Sequence, residues 1–324
     1  MADFKHGHTD DCEPSPRSNT TRTRGGDLAL SELTLLSSEH SWPGWPTIGR
    51  PWCARYVIER EIAHGGSAVV FQAEDQKTGA AVAVKVLRPG FGVSEAERFA
   101  FEIRVMRQLT HPHIMPICGQ GVVGHTQFYV MPYYGRMTLR RLLKRWSFET
   151  DDALGILTDL AEAVGHIHGA GFVHRDIKPE NVLMRDGRAI LTDFGSAGGV
   201  NQNAWTRITQ SGCCPGTPEY MSPEQFWDTD RVGVRSDVYS LACLAFELLA
   251  GHTPHAGGDA LGVAGRHLSA PIPRISDVAG LSFRDADAVF ARGLAKEPDQ
   301  RHATAMQFVR ELRCALPSAS DFAA

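Results

Sequence analysis

Between residues 56 and 85, short apolar runs are set apart by glycine turns. Val69-Val70-Phe71 and Ala81-Val82-Ala83-Val84 are separated by Thr78-Gly79, and Gly65-Gly66 precedes the first. Runs of this length bounded by turn residues predict strands of an antiparallel sheet. The period then changes. Phe99, Ile103, Met106 and Leu109 recur three or four residues apart behind Ser94 and Glu97, which have capping-box spacing, so one helix is expected to cross the sheet region. A further strand is expected over 127–131, after which the pattern is mainly helical. Leu154, Leu157, Leu160, Ala161, Val164 and Ile167 form one stripe over 152–168. Residues 238–249 are apolar nearly all round, as in a buried central helix, and two short strands should flank Asp186-Gly187. The pattern predicts an α+β fold, a small β-rich lobe followed by a larger helical one, joined near 132–135.

The chain has 324 residues, about twice a common domain size of ~150. With 43% hydrophobic and 22% charged residues, it falls outside the disordered and collagenous classes. A net charge of −4 provides no global field for nucleic acid or anionic lipid, so any polyanion must be met locally. The seven cysteines include no CxxC pair, which fits reduced thiols in a cytoplasmic protein and argues against a zinc ribbon. The apolar stretch 238–249 is interrupted by Ser240 and Glu247 and is shorter than the ~18 to 20 residues a bilayer requires, so no membrane span is expected. Residues 1–50 mix Ser, Thr, Pro and Arg and read as a disordered tail, in which the leucines of 28–36 could dock as a short helix. His6, His8 and Cys12 lack a fourth ligand and read as solvated tail residues.

The chemistry is concentrated in His174-Arg175-Asp176-Ile177-Lys178-Pro179-Glu180-Asn181 and in Asp193-Phe194-Gly195. These segments resemble the catalytic and metal-binding loops of the eukaryotic-like, Hanks-type bacterial protein serine/threonine kinases. The resemblance implies a bilobal protein-kinase-like fold using ATP and Mg2+. The kinase domain would span 51–315, with an N-lobe at about 56–131, a hinge at 132–135, a C-lobe at 136–315, and a short tail at 316–324. In such a site Asp176 would accept the proton of the incoming hydroxyl, and Lys178 would neutralise charge on the transferring group. Asn181 and Asp193 are the hard oxygen donors that Mg2+ prefers.

The remaining parts follow in the family's order. Ala63-His64-Gly65-Gly66-Ser67-Ala68-Val69-Val70 resembles the glycine-rich loop that covers the phosphates, with Ala63 and Ala68 in place of two glycines. Val82-Ala83-Val84-Lys85 is similar to the strand whose lysine holds the α- and β-phosphates, and Glu102 is its expected partner. Val70 and Ala83 join the nucleotide-binding set by the same likeness. Met131 stands at the gatekeeper position. Pro132 keeps its carbonyl and lacks only the N–H, so its C=O and the N–H of Tyr134 remain available to adenine.

Gly216-Thr217-Pro218-Glu219-Tyr220-Met221-Ser222-Pro223-Glu224 resembles the end of an activation segment, and a Glu224–Arg301 ion pair should pin it to the C-lobe. Thr209, Ser211 or both are the expected activating phosphosites, with Arg175 and Arg207 as the available cations, and Cys213-Cys214 read as inert thiols. The implied partner is a protein carrying a Ser or Thr acceptor, with self-association as a route to phosphorylation between copies. A pseudokinase scaffold keeps the fold without turnover, but here every catalytic position is filled. A small-molecule kinase of the aminoglycoside-phosphotransferase sort shares the phosphate chemistry but lacks the protein-substrate segment.

Overall fold

The structure, a computed structural model, describes residues 45–199, 218–280 and 283–316. Its strands and helices are β1 (Pro51–Trp52), β2 (Tyr56–His64), β3 (Ala68–Asp75), β4 (Ala80–Leu87), α1 (Val93–Gln108), β5 (Gly119–Val123) and β6 (Thr126–Pro132) in the N-terminal part. The first lobe is a six-stranded antiparallel sheet in the order β1-β2-β3-β4-β6-β5. Alternation along β4 explains its two faces. Val82, Val84 and Val86 enter an apolar cluster with Ile58, Phe71 and Phe128, while Ala83 and Lys85 line a cleft.

Helix α1 buries Phe99, Ile103 and Met106, as its spacing predicts, and Phe99 lies 5.5 Å from the ring of Tyr129 on β6. Its start differs from the capping-box expectation. Gly92 is the N-cap, so Ser94 and Glu97 lie inside the helix, where neither can cap it. Strands β1 and β5 were not evident from the hydrophobic pattern. The folded body also begins before residue 51: Trp45 packs edge-on against Phe71 at 5.8 Å, and Gly49 N–H donates to the Ile58 carbonyl at 2.7 Å. Residues 45–50 therefore belong with the sheet, although their composition groups them with the tail.

The second lobe contains α2 (Leu139–Leu143), α3 (Thr150–Gly169), β7 (Phe172–Val173), β8 (Val182–Arg185), β9 (Arg188–Leu191), β10 (Gly198–Gly199), α4 (Pro223–Trp227), α5 (Val234–Ala250), α6 (Ala260–Ser269), α7 (Ile275–Ala279), α8 (Ala286–Gly293) and α9 (Ala305–Ala315). All six stripe residues of α3 are buried. Every residue of α5 from Ser236 to Leu248 is buried, and α3, α8 and α9 pack around it. Phe246, Phe290 and Phe308 form a chain of edge-on rings at its centre. Strands β8 and β9 pair around Asp186 and Gly187, whose φ values of 50° and 77° close a tight turn of the primed type. Leu316 is also buried, extending the core one residue past the expected boundary.

The leucines of 28–36, His6, His8, Cys12, Arg207, Thr209, Ser211, Cys213, Cys214 and Thr217 lie outside the described residues. Among the described residues, no helix is long and apolar enough to cross a membrane.

Candidate active site

A cleft of about 750 Å³ opens between the lobes. Lys85 projects from β4 into it and makes two ion pairs, Nζ to Glu102 Oε1 at 2.7 Å and to Asp193 Oδ1 at 2.9 Å. Glu102 reaches Lys85 from the buried face of α1, and its Oε1 also accepts the Tyr129 hydroxyl at 2.9 Å. Burial opposes charge on Lys85, but the Asp193 and Glu102 carboxylates outweigh it and hold the ammonium pKa well above its ordinary value. Burial likewise pushes Glu102 upward against the pull of Lys85. The Lys85 charge holds Asp193 down to about 2, so Asp193 is an anion at any physiological pH.

Asp176 lies on the loop after β7. Lys178 Nζ donates to both of its carboxylate oxygens, at 2.9 and 2.8 Å. Asn181 Nδ2 donates to the Asp176 carbonyl at 2.9 Å and to Oδ2 at 2.8 Å. Both of those partners are acceptors, so the amide nitrogen must face them and the Asn181 carbonyl oxygen is left for another group. A free amide oxygen together with the Asp193 carboxylate gives a hard-oxygen donor set that fits Mg2+.

The catalytic loop is fixed from below by α5. Asp237 accepts the backbone N–H of His174 at 2.9 Å and of Arg175 at 2.8 Å, and His168 Nε2 lies 2.7 Å from the same carboxylate. Burial would raise the pKa of Asp237, but the hydrogen bond and charge of His168 outweigh it and hold the carboxyl below its ordinary value. Arg175 and Asp193 both adopt left-handed backbone, at φ 68° and 63°. Such conformations cost energy in a non-glycine residue and persist where the surroundings fix them. Phe194 packs edge-on against His174 at 4.9 Å, and Gln225 of α4 donates to the Arg175 carbonyl at 2.8 Å. The Arg175 guanidinium lies so close to Gly198 that a Cβ there would collide with it.

The cleft is lined by Ala63, His64, Gly65, Gly66, Ser67, Ala68, Val70, Ala83, Lys85 and Glu102 from the N-lobe side. Pro132, Tyr134, Asn181 and Asp193 complete the expected set, and Met131 also lines the cleft. Asp176 and Lys178 sit beside it, joined to it through Asn181. Ala63 pairs with Val70 in the β2–β3 ladder, and Ala68 is buried in the core. Neither takes the positive φ that would demand glycine. The two departures from the glycine-rich pattern thus carry no backbone strain.

Two networks had no signal in the sequence. Arg140 joins Glu180 at 2.6 Å to Glu247 and the Tyr220 hydroxyl, linking α2, the catalytic loop and α5. Arg188 and Asp159 form a fork, at 3.0 and 2.7 Å, that ties β9 to α3. Each depends on pairs more than twenty residues apart with no local pattern to announce them.

A curled antiparallel sheet over a helical lobe, with a lysine–carboxylate cluster in the cleft between them, defines the bilobal protein-kinase fold. The chain belongs to the protein kinase domain family, which matches residues 56–314. It is 37% identical over 254 residues to the serine/threonine-protein kinase PknH of Mycobacterium bovis, covering 77% of this chain and 42% of the relative. It is 36% identical over 263 residues to the serine/threonine-protein kinase PknL of Mycobacterium tuberculosis, covering 80% of this chain and 65% of the relative. The chain thus spans less than two thirds of the length of these curated relatives. The crystal structure of the Mycobacterium tuberculosis PknI kinase domain aligns with a TM-score of 0.64 at 23% identity, over 83% of this chain and 99% of that one, a likeness of fold.

Proposed function

We propose that this chain is an ATP- and Mg2+-dependent protein serine/threonine kinase that also phosphorylates itself on Thr209, Ser211 or both. The observation that carries the reading is the double engagement of Lys85 by Glu102 and Asp193, opposite an Asp176 oriented by Lys178 and Asn181. Lys85, held as a cation by two carboxylates at the cleft, is placed to hold phosphate oxygens. A bound Mg2+ would supply positive charge to neutralise the phosphates. Asn181 and Asp193 supply its protein ligands. Asp176 accepts the proton of a serine or threonine hydroxyl as the new P–O bond forms, and Lys178 offsets the charge on the transferring group. The Pro132 carbonyl and Tyr134 N–H serve the adenine edge, with Ala63 to Ala68, Val70 and Ala83 forming the walls of the nucleotide site.

The kinase domain in this reading is 51–315, with residues 45–50 packed on its sheet. Arg175 is the cation proposed to meet a phosphate on Thr209 or Ser211. The test is incubation of the purified chain with γ-labelled ATP, Mg2+ and a generic protein acceptor, followed by phosphoamino-acid analysis. Label on serine and threonine that disappears in Asp176→Asn supports the assignment. Absence of label in the unaltered chain, with nucleotide binding demonstrated separately, overturns it.

A further inference from the structure

Past the hinge, the rim of the cleft carries exposed arginines, although the whole chain carries a net charge of −4. Arg136 and Arg141 both line it and both are exposed. On and just after α2, Arg141, Lys144 and Arg145 follow at spacings of three and four, which places them on one exposed face. The acidic residue that lines the cleft beside them, Glu180, is engaged by Arg140 at 2.6 Å, and Arg140 is itself anchored to Glu247 and Tyr220. The network therefore pairs the negative charge of Glu180 that could attract a basic acceptor and leaves Arg136 and Arg141 as exposed cations on the same cleft.

We infer that Arg136 and Arg141 are specificity-determining residues that select acceptor segments carrying Glu or Asp near the Ser or Thr. The inference takes its acceptor chemistry from the kinase reading above. A protein segment is favoured over a nucleic acid because, in the kinase reading, the acceptor must bring a serine or threonine hydroxyl to Asp176, which sits beside this cleft and is joined to it through Asn181. Complementary charge at an exposed rim acts through encounter and weak pairing and is screened by salt. Two such exposed contacts together should change kcat/KM by about five- to tenfold, expressed in the KM for the acceptor.

The experiment uses the full chain and a set of serine peptides whose flanking positions are all Glu, all Gln or all Lys. The expected order is Glu over Gln over Lys by kcat/KM, with the Glu advantage shrinking as salt is added. In Arg136→Glu, Arg141→Glu, compared at saturating ATP, the order of the three peptides reverses. Equal use of the three peptides by the unaltered chain overturns the inference, as does equal loss of the Gln and Glu peptides in the variant. A second arm needs no turnover: fluorescence anisotropy with a labelled Glu peptide bearing Ala at the acceptor position. If no peptide is phosphorylated, the kinase reading falls and this arm decides alone. Binding that the double variant abolishes supports the basic rim as an acidic-peptide site, and equal binding by both forms overturns it. An oligonucleotide of matched charge that displaces the peptide equally well also overturns the choice of partner.

Discussion

Arg301 and Glu224 meet as a two-bond pair, Nη1 to Oε1 and Nη2 to Oε2, each at 2.7 Å, with both side chains removed from water. The guanidinium spends its other N–H groups on the carbonyls of Ala295, Arg235 and Lys296, and it lies over the Tyr239 ring at 4.8 Å. All five donors of the fork are satisfied. The pair joins the start of α4 to the loop before α9, as the sequence predicted for these two residues.

Breaking this pair should be costly, because the surviving charge is stranded in the core. Among the described residues, Arg301→Leu leaves Glu224 with only the Ser236 hydroxyl as a side-chain partner, and the variant is expected to lose about 3 to 5 kcal/mol of stability. Arg301→Lys should also lose stability, since an ammonium cannot reproduce the fork. Urea unfolding midpoints measure both, and a loss in Arg301→Leu below about 1 kcal/mol, the worth of an exposed pair, would contradict this account.

Lys85 and Glu102 should act as one unit in turnover. Lys85→Met and Glu102→Gln each remove the same contact, so the double variant is expected to lose little more than the worse single one. Steady-state kcat/KM for ATP across the four proteins is the measurement. Simple addition of the two losses would show that Glu102 acts independently of Lys85.

The two cleft aspartates should separate by kinetic signature. Asp176→Asn removes the proposed proton acceptor and should lower kcat by about 10² to 10⁴ with little change in nucleotide affinity. Asp193→Asn removes a proposed metal ligand, so its deficit should be partly recovered at high Mg2+. Titration of Mg2+ in both variants distinguishes them, and equal recovery by both would remove the assigned division of labour.

A buried histidine pair makes stability depend on acid. The rings of His255 and His267 lie 4.9 Å apart. The Tyr239 hydroxyl is 2.7 Å from His267 Nδ1, and the Lys296 ammonium is 3.4 Å from His255 Nε2. Burial, reinforced for His255 by Lys296 and Arg266 and for His267 by His255, Lys296 and Arg266, lowers the pair to about 4 and about 3. The unfolded chain takes up these protons near 6.5 and the folded chain only near those lower values. Stability is therefore intact above 6.5 and falls as pH drops toward 3. Thermal unfolding across this range should show the slope, and His267→Gln should flatten it.

Much of the site was legible because the loops that carry it are continuous in sequence. Asp176, Lys178 and Asn181 lie within six residues, and Asp193 follows closely. What stayed hidden were partnerships across distance. Tyr129 as a second donor to Glu102, and Arg140 as the clasp on Glu180, join elements that only packing brings together. Strand β5 was missed for another reason. Its Gly119 and Gly121 interrupt the apolar pattern, and a Cβ at Gly121 would come within 2.7 Å of the Phe128 ring, so that glycine is required by close packing against β6. The start of α1 shows that a capping pair two residues downstream of a glycine does not decide where the helix begins.

Asp237 has a consequence for how the catalytic loop moves. The amide groups of His174 and Arg175 are bonded to a carboxylate on the helix whose residues 236 to 248 are buried throughout. Releasing either amide requires displacing α5 from the centre of the lobe. In native-state hydrogen exchange these two protons should therefore exchange at the rate set by global unfolding, although they belong to a loop at the edge of a cleft. The loop that bears Asp176 thus shares the cooperative unit of the deepest helix, and motion that admits nucleotide or acceptor must come from the parts around it.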